Sequence, residues 1–190
     1  MLNFYKLIEI LISLQTLLIS TMIPVYIPLP FIGKSSNNLD LPITWQIPTI
    51  ILLTIVFNRT VVYRAFTIYI ILGLFIIPVF NQGGSIGYLL TPNFGYLLGI
   101  YPLIKIIDNL NKKYKKINYF DFLRYGILAI SSMHLIGIIY SCIQIMYFKQ
   151  SEILLYNISK YSLGKFGYHL LTLLPITLLI KIINNKKSQK

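Results

Sequence analysis

The sequence predicts an all-α membrane protein, a polytopic six-helix transmembrane bundle with both termini on the cytoplasmic side. Three observations predict it. Of 190 residues, 56% are hydrophobic and 12% charged, about half the charged share of an ordinary soluble domain. The apolar residues gather into six runs that can cross a hydrocarbon slab of ~30 Å, and none alternates strictly as a barrel strand would. The 17 Lys and Arg residues collect between these runs and at the C-terminus, as the positive-inside rule requires.

The first run, 2–23, carries Lys6 and Glu9 and lacks a small-residue cleavage site, so it reads as a retained helix and not a signal peptide. The second, 41–57, holds Pro48 near its start, and the fourth, 94–108, follows Pro92. Proline removes a backbone donor, so the outer ends of both are expected to unravel into loops covered by neighbouring helices. The third, fifth and sixth runs are 61–80, 122–148 and 163–183. Residues 1–190 are expected to form one domain.

With the N-terminus inside, only Lys34, Lys149, Lys160 and Lys165 face outward; the other cations, from Lys6 to Lys190, face the cytoplasm. An odd number of spans would spoil this asymmetry. The outer connectors are then 24–40, 81–93 and 149–162. The first is apolar and stiffened by Pro24, Pro28 and Pro30, and the second holds Gly83, Gly84 and Gly87. Glycine permits close backbone approach, so both are expected to cover an outward-facing cavity.

Several function classes are excluded. The net charge of +12 does not indicate nucleic acid, because the cations form no patch interleaved with aromatic residues. The run Lys112-Lys113-Tyr114-Lys115-Lys116 reads as an inner anchor beside anionic lipid headgroups. Cys142, the single cysteine, can form neither an intramolecular disulfide nor a thiol metal framework. The acids Glu9, Asp40, Asp108, Asp121 and Glu152 provide no pair on a shared helix face, which argues against an enzyme and against carboxylate proton coupling. His134 and His169 lie on different helices with no ligating residue at i+4, so no metal site is predicted and both read as core or cavity residues. Gly33-Lys34-Ser35 ends like a phosphate-binding loop, but Pro28 stands where its first glycine belongs. No ATP hydrolysis by this chain and no cofactor are expected. What remains is a bundle that can bind something outside but has no engine.

Two segments, Tyr26-Ile27-Pro28-Leu29-Pro30-Phe31 and Leu41-Pro42-Ile43-Thr44-Trp45-Gln46, resemble the opening of the BioY family of biotin transporters. The run from Ile68 through Pro78-Val79-Phe80, then Gly83-Gly84, Gly87, Leu90, Pro92 and Gly95-Tyr96-Leu97-Leu98-Gly99, is similar in order and spacing to that family's central signature. The likeness covers residues 24–104, and Tyr161-Ser162-Leu163 with Gly167 is similar to the approach to the family's last helix. There the family has Pro-Gly-Asp and a Lys three residues after the Asp. The corresponding residues here are Phe166, Gly167, Tyr168 and Leu171, so that polar pair is absent.

The resemblance implies the S component of an energy-coupling-factor transporter in the plasma membrane, the bacterial inner membrane. Such a subunit captures biotin outside and works with a transmembrane T component and two cytoplasmic ATPases. It docks through a small-x-x-x-small stripe on its first helix, here Thr16 and Ser20. The missing pair leaves two readings open: biotin held by other groups, or another small vitamin-like ligand on the same scaffold. A third class, a non-transport membrane scaffold, has no need of the glycine-rich outer segment.

Biotin offers a ureido ring, a thioether ring and a chain ending in carboxylate. Gln46 and Asn93 can both donate to and accept from a ureido edge, and Tyr69 and Tyr96 give aromatic walls with a hydroxyl. Gly83, Gly84 and Gly87 could turn backbone N–H groups toward the ligand. Tyr168 stands, with His169 beside it, where relatives carry the acid. Lys160 and Lys165 are the nearest outer cations for the carboxylate.

Overall fold

The computed structural model describes residues 4–28, 38–80, 83–114, 116–148 and 152–187. The predicted cover residues 29–37, with Lys34 and Ser35, lie outside these, as do Asn81, Gln82, Lys115 and Lys149.

Helix α1 (Phe4–Met22) turns Ile10, Ser13, Leu17, Ser20 and Thr21 inward, against α2 (Gln46–Val56) and α3 (Arg59–Phe75). Its other face shows Leu7, Leu11, Ile12 and Ile19 outward. Large aliphatic side chains on the outside, with hydroxyls on the inside, reverse the soluble pattern and suit hydrocarbon. The Ser20 and Thr21 hydroxyls donate to the Leu17 carbonyl at 2.9 and 2.8 Å, which satisfies them without a distant partner.

Pro48 sits in the first turn of α2, where a missing N–H is harmless. Asn58 then caps α3 by accepting from the Thr60 N–H at 3.4 Å. Helix α3 ends at Phe75 and not near residue 80, because Pro78 drives the residue before it away from helical geometry.

The fourth run is two helices, α4 (Pro92–Leu98) and α5 (Ile100–Lys113). Pro102 has no N–H to offer the Leu98 carbonyl, so the helical ladder breaks there. Both pieces pack along α6 (Tyr119–Phe148). Contact is close because Gly95 and Gly99 lack side chains: a Cβ on Gly99 would lie 2.5 Å from the Met133 carbonyl, and one on Gly95 2.4 Å from Tyr140 Cβ. Gly137 on α6 answers by admitting the Tyr96 ring. This is the small-residue packing of membrane helices.

The third outer connector is shorter than expected. Helix α7 (Glu152–Ile158) runs through a π-helical turn (Ser159–Leu163) into α8 (Gly164–Leu171) and α9 (Leu173–Lys187). Pro175, which cannot bond the Leu171 carbonyl, accounts for the break at Thr172.

The all-α expectation is corrected between α1 and α2. Strands β1 (Pro24–Pro28) and β2 (Asn38–Thr44) pair antiparallel, with Tyr26 opposite Asp40 and a bulge between Pro24 and Tyr26. The second run thus begins as a strand, since Pro42 disfavours helix at Leu41 and Ile43 and Thr44 are β-branched. The Trp45 N–H donates to the Ile23 carbonyl at 3.0 Å and closes the hairpin's base.

Among the described residues, three helical segments are long and apolar enough to cross a membrane: Phe4–Met22, Tyr119–Met146 and Leu155–Ile180. Most buried apolar side chains join one core, with Phe66, Tyr69 and Phe122 among its largest members. The hairpin stands apart, packing Val25 and Ile43 against Trp45 and Tyr168 in a small separate cluster.

Candidate ligand-binding site

One cavity gathers residues from eight elements of the chain. The hairpin supplies Ile43 and Thr44, α2 Gln46 and Ile47, a 3-10 turn (Ile86–Leu90) Tyr88, and α4 Asn93, Tyr96 and Leu97. The opposite wall is Ile100, Met133, Tyr161, Lys165 and His169. The free space is about 100 Å³.

Three of the sequence-predicted residues, Gln46, Asn93 and Tyr96, line it together. Gln46 opens α2, and its buried Nε2 lies beside the Tyr69 hydroxyl without reaching full hydrogen-bond geometry. Asn93, in the first turn of α4, bonds the Tyr88 hydroxyl. Burial pushes that hydroxyl well above its ordinary pKa, with the neighbouring Tyr69 and Tyr161 adding to the rise. Tyr88 therefore stays protonated and keeps its donor at neutral pH.

Tyr69 adjoins the site without lining it. Its ring lies 5.9 Å from Phe66 and 5.4 Å from Phe80, and its hydroxyl, flanked by Thr21 and Gln46, donates to the Val79 carbonyl at 3.4 Å. The glycines shape the turn that delivers Tyr88. Gly83 has φ 115°, and its N–H donates to the Phe80 carbonyl at 3.0 Å. A Cβ on Gly84 would stand 2.6 Å from the Gly73 carbonyl oxygen and from Pro78 Cα, so a side chain there would force the backbones apart. Gly87 lies in the 3-10 turn itself, outside the lining.

On the last helical segment the site uses neighbours of the predicted residue. Tyr168 packs on the hairpin cluster, while His169 faces the cavity. Successive helical residues differ by about 100°, and Lys165 and His169, four apart, share a face. Of the two outer cations, Lys165 reaches the cavity. Lys160 is exposed and lies over the Tyr156 and Tyr161 rings.

Sequence reasoning did not find the polar chain behind this wall. Tyr96 Oη lies 2.9 Å from Ser162 Oγ, Ser162 Oγ 3.1 Å from His134 Nδ1, and His134 Nε2 3.0 Å from His169 Nδ1. The π-helical turn puts Ser162 and Tyr161 there, and such turns often mark functional positions. The i, i+4 spacing of Lys165 and His169 was the one legible signal. Of the expected docking stripe, Thr16 is exposed on α1 and Ser20 is buried within the bundle.

These features define a helical membrane protein with a small polar cavity under a β-hairpin. The BioY family profile matches residues 3–179, and the chain belongs to the BioY family. It is 38% identical over 73 residues to the probable biotin transporter BioY of Lysinibacillus sphaericus. That alignment covers 38% of this chain and 33% of the relative, so the match spans about a third of the relative's length. The crystal structure of an S-component for biotin from an ECF-type ABC transporter superposes with a TM-score of 0.58. It covers 95% of each chain at 20% identity, and the two share a fold.

Proposed function

We propose that this chain captures biotin outside the plasma membrane as the S component of an energy-coupling-factor transporter. It crosses the membrane six times with both termini cytoplasmic, and a T component and two ATPases supply the work. Family membership and the shared fold support this reading. The observation that carries it is the pairing, in one cavity, of the Lys165 ammonium with the buried Gln46 amide nitrogen. No carboxylate is among the described lining residues. Such a cavity suits a ligand with a carboxylate at one end and a carbonyl acceptor at the other. In biotin these are the acid chain and the ureido carbonyl, with Asn93 accepting from a ureido N–H. Lys165 takes the part that the absent polar pair leaves vacant.

Small-molecule sites usually hold ~300 Å³ or more, against about 100 Å³ here. Entry therefore widens the cavity.

Calorimetric titration in nanodiscs, with biotin, biotin methyl ester and other vitamins, tests the proposal. Biotin should bind tightly and the ester weakly, and Lys165→Met should remove most of that difference. Binding of another carboxylate vitamin and not biotin would keep the scaffold and change the cargo. No response to any of them, from folded protein, would defeat the transport reading.

A further inference from the structure

The chain contains two histidines, and they meet at the cavity wall with His134 Nε2 3.0 Å from His169 Nδ1. A hydrogen bond between two imidazole nitrogens contains one proton, so one nitrogen donates and the other accepts. Two neutral rings meet that condition. One imidazolium and one neutral ring meet it as well, but two imidazolium rings would set N–H against N–H. The pair can take up one proton and no second one. Ser162, 3.1 Å from His134 Nδ1, serves both states, because its hydroxyl can donate to a neutral nitrogen or accept from a protonated one.

Both rings are buried, so water does little to solvate an added charge. The charged and titratable groups around them are Lys165 on α8, Tyr161 on the π-helical turn, Tyr88 on the 3-10 turn, and Tyr96 on α4 with Cys142 near it. The carboxylates whose side chains are described stand elsewhere: Glu9 on α1, Asp108 in ion pairs on α5, and Asp121 in the first turn of α6. The cavity lining thus presents the Lys165 ammonium and, among the described residues, no countercharge for an imidazolium. A ligand carboxylate supplies one.

We infer that the His134–His169 pair is a proton site linked to ligand capture, so that a carboxylate bound beside Lys165 draws one proton from solvent onto an imidazole nitrogen. This rests on reading the cavity as a carboxylate-ligand site. A carboxylate is ionised throughout about pH 6 to 8, so the proton goes to the protein and not to the ligand.

The test uses the full chain, purified on a histidine-free tag and titrated with biotin in phosphate and in Tris, two buffers of different ionisation enthalpy. Uptake of up to one proton makes the two apparent heats differ. Affinity should weaken as pH rises through the protonation range of the bound state, by up to about tenfold per pH unit. In ¹⁵N-histidine-labelled protein every imidazole signal belongs to this pair, and an imidazolium signal should appear only with biotin present. The methyl ester, lacking the carboxylate, should bind without proton uptake. Equal heats in both buffers with biotin bound would overturn the inference alone. Proton uptake with both rings still neutral would overturn it too and place the proton on Lys165. Failure of biotin to bind at all would remove the underlying reading and the inference with it.

Discussion

Gln46 opens α2 with an amide nitrogen that is buried and short of full hydrogen-bond geometry. Such a donor costs about 1–3 kcal/mol until something accepts from it, and a ligand carbonyl is that acceptor in the proposed complex. Gln46→Leu removes the cost from the empty protein and the contact from the complex. Thermal melting should show stability unchanged or raised, while calorimetry shows biotin weakened about tenfold or more; a destabilised variant with normal affinity would make Gln46 a structural residue. At this scale, polar side chains in apolar context were legible, which is why Gln46, Asn93 and Tyr96 could be singled out. On the last helical segment the sequence offered Tyr168 with His169 beside it, and one position along a helix turns a side chain by about 100°; His169 is the one that lines the cavity. Spacing alone does not say which turn faces the ligand.

Helices α4 and α6 meet through absent side chains. The Met133 carbonyl, which a Cβ on Gly99 would approach to 2.5 Å, is backbone and cannot swing aside. Gly99→Ala should therefore lower stability by about 1–3 kcal/mol, as overpacking does. Gly167→Ala is the control, because a Cβ there meets nothing within 4 Å on a helix. It should raise stability by up to about 1 kcal/mol through helix propensity. Melting curves of the two variants in the same nanodisc decide, and equal shifts would mean that α4 and α6 can part at little cost. The Gly95–Gly99 spacing was visible as part of a family signature, yet its partner helix was not. Pro48 and Pro92 were legible as marks near helix starts, and each lies in the first turn of its helix, whereas the breaks near Pro78, Pro102 and Pro175 emerged only in the structure. The hairpin escaped notice because a short apolar run rich in proline and β-branched residues reads equally well as the frayed start of a helix.

For the whole molecule, two ion pairs that share Asp108 and the orientation of the chain are decisive. Asp108, whose side chain is 5% exposed, meets Lys112 at 2.7 Å and Arg59 at 3.8 Å, and so ties α5 to the start of α3. Asp108→Asn leaves two cations that can still reach water, since their side chains are 61% and 35% exposed. The expected loss is about 1–3 kcal/mol of thermal stability, and an unchanged melting temperature would show that helix packing alone sets that junction. Orientation is testable by labelling in intact cells with a membrane-impermeant maleimide, on a Cys142→Ser background. Lys160→Cys should react from outside, and Lys113→Cys only after permeabilisation. Reaction of both from one side would reject six crossings with cytoplasmic termini.

The sequence by itself determined that this chain is a helical membrane protein, because 56% hydrophobic composition and runs of membrane-spanning length leave few other ways to satisfy apolar surface and backbone polarity together. It also determined which family the chain resembles, since that depends on residues close together in the chain. Only the tertiary structure decided that His134 and His169 share a proton-sized gap, that Lys165 and Gln46 lie in one cavity, and that Ser20 turns inward. Those pairings join positions 35 and 119 residues apart, and no local periodicity encodes which helix faces pack together.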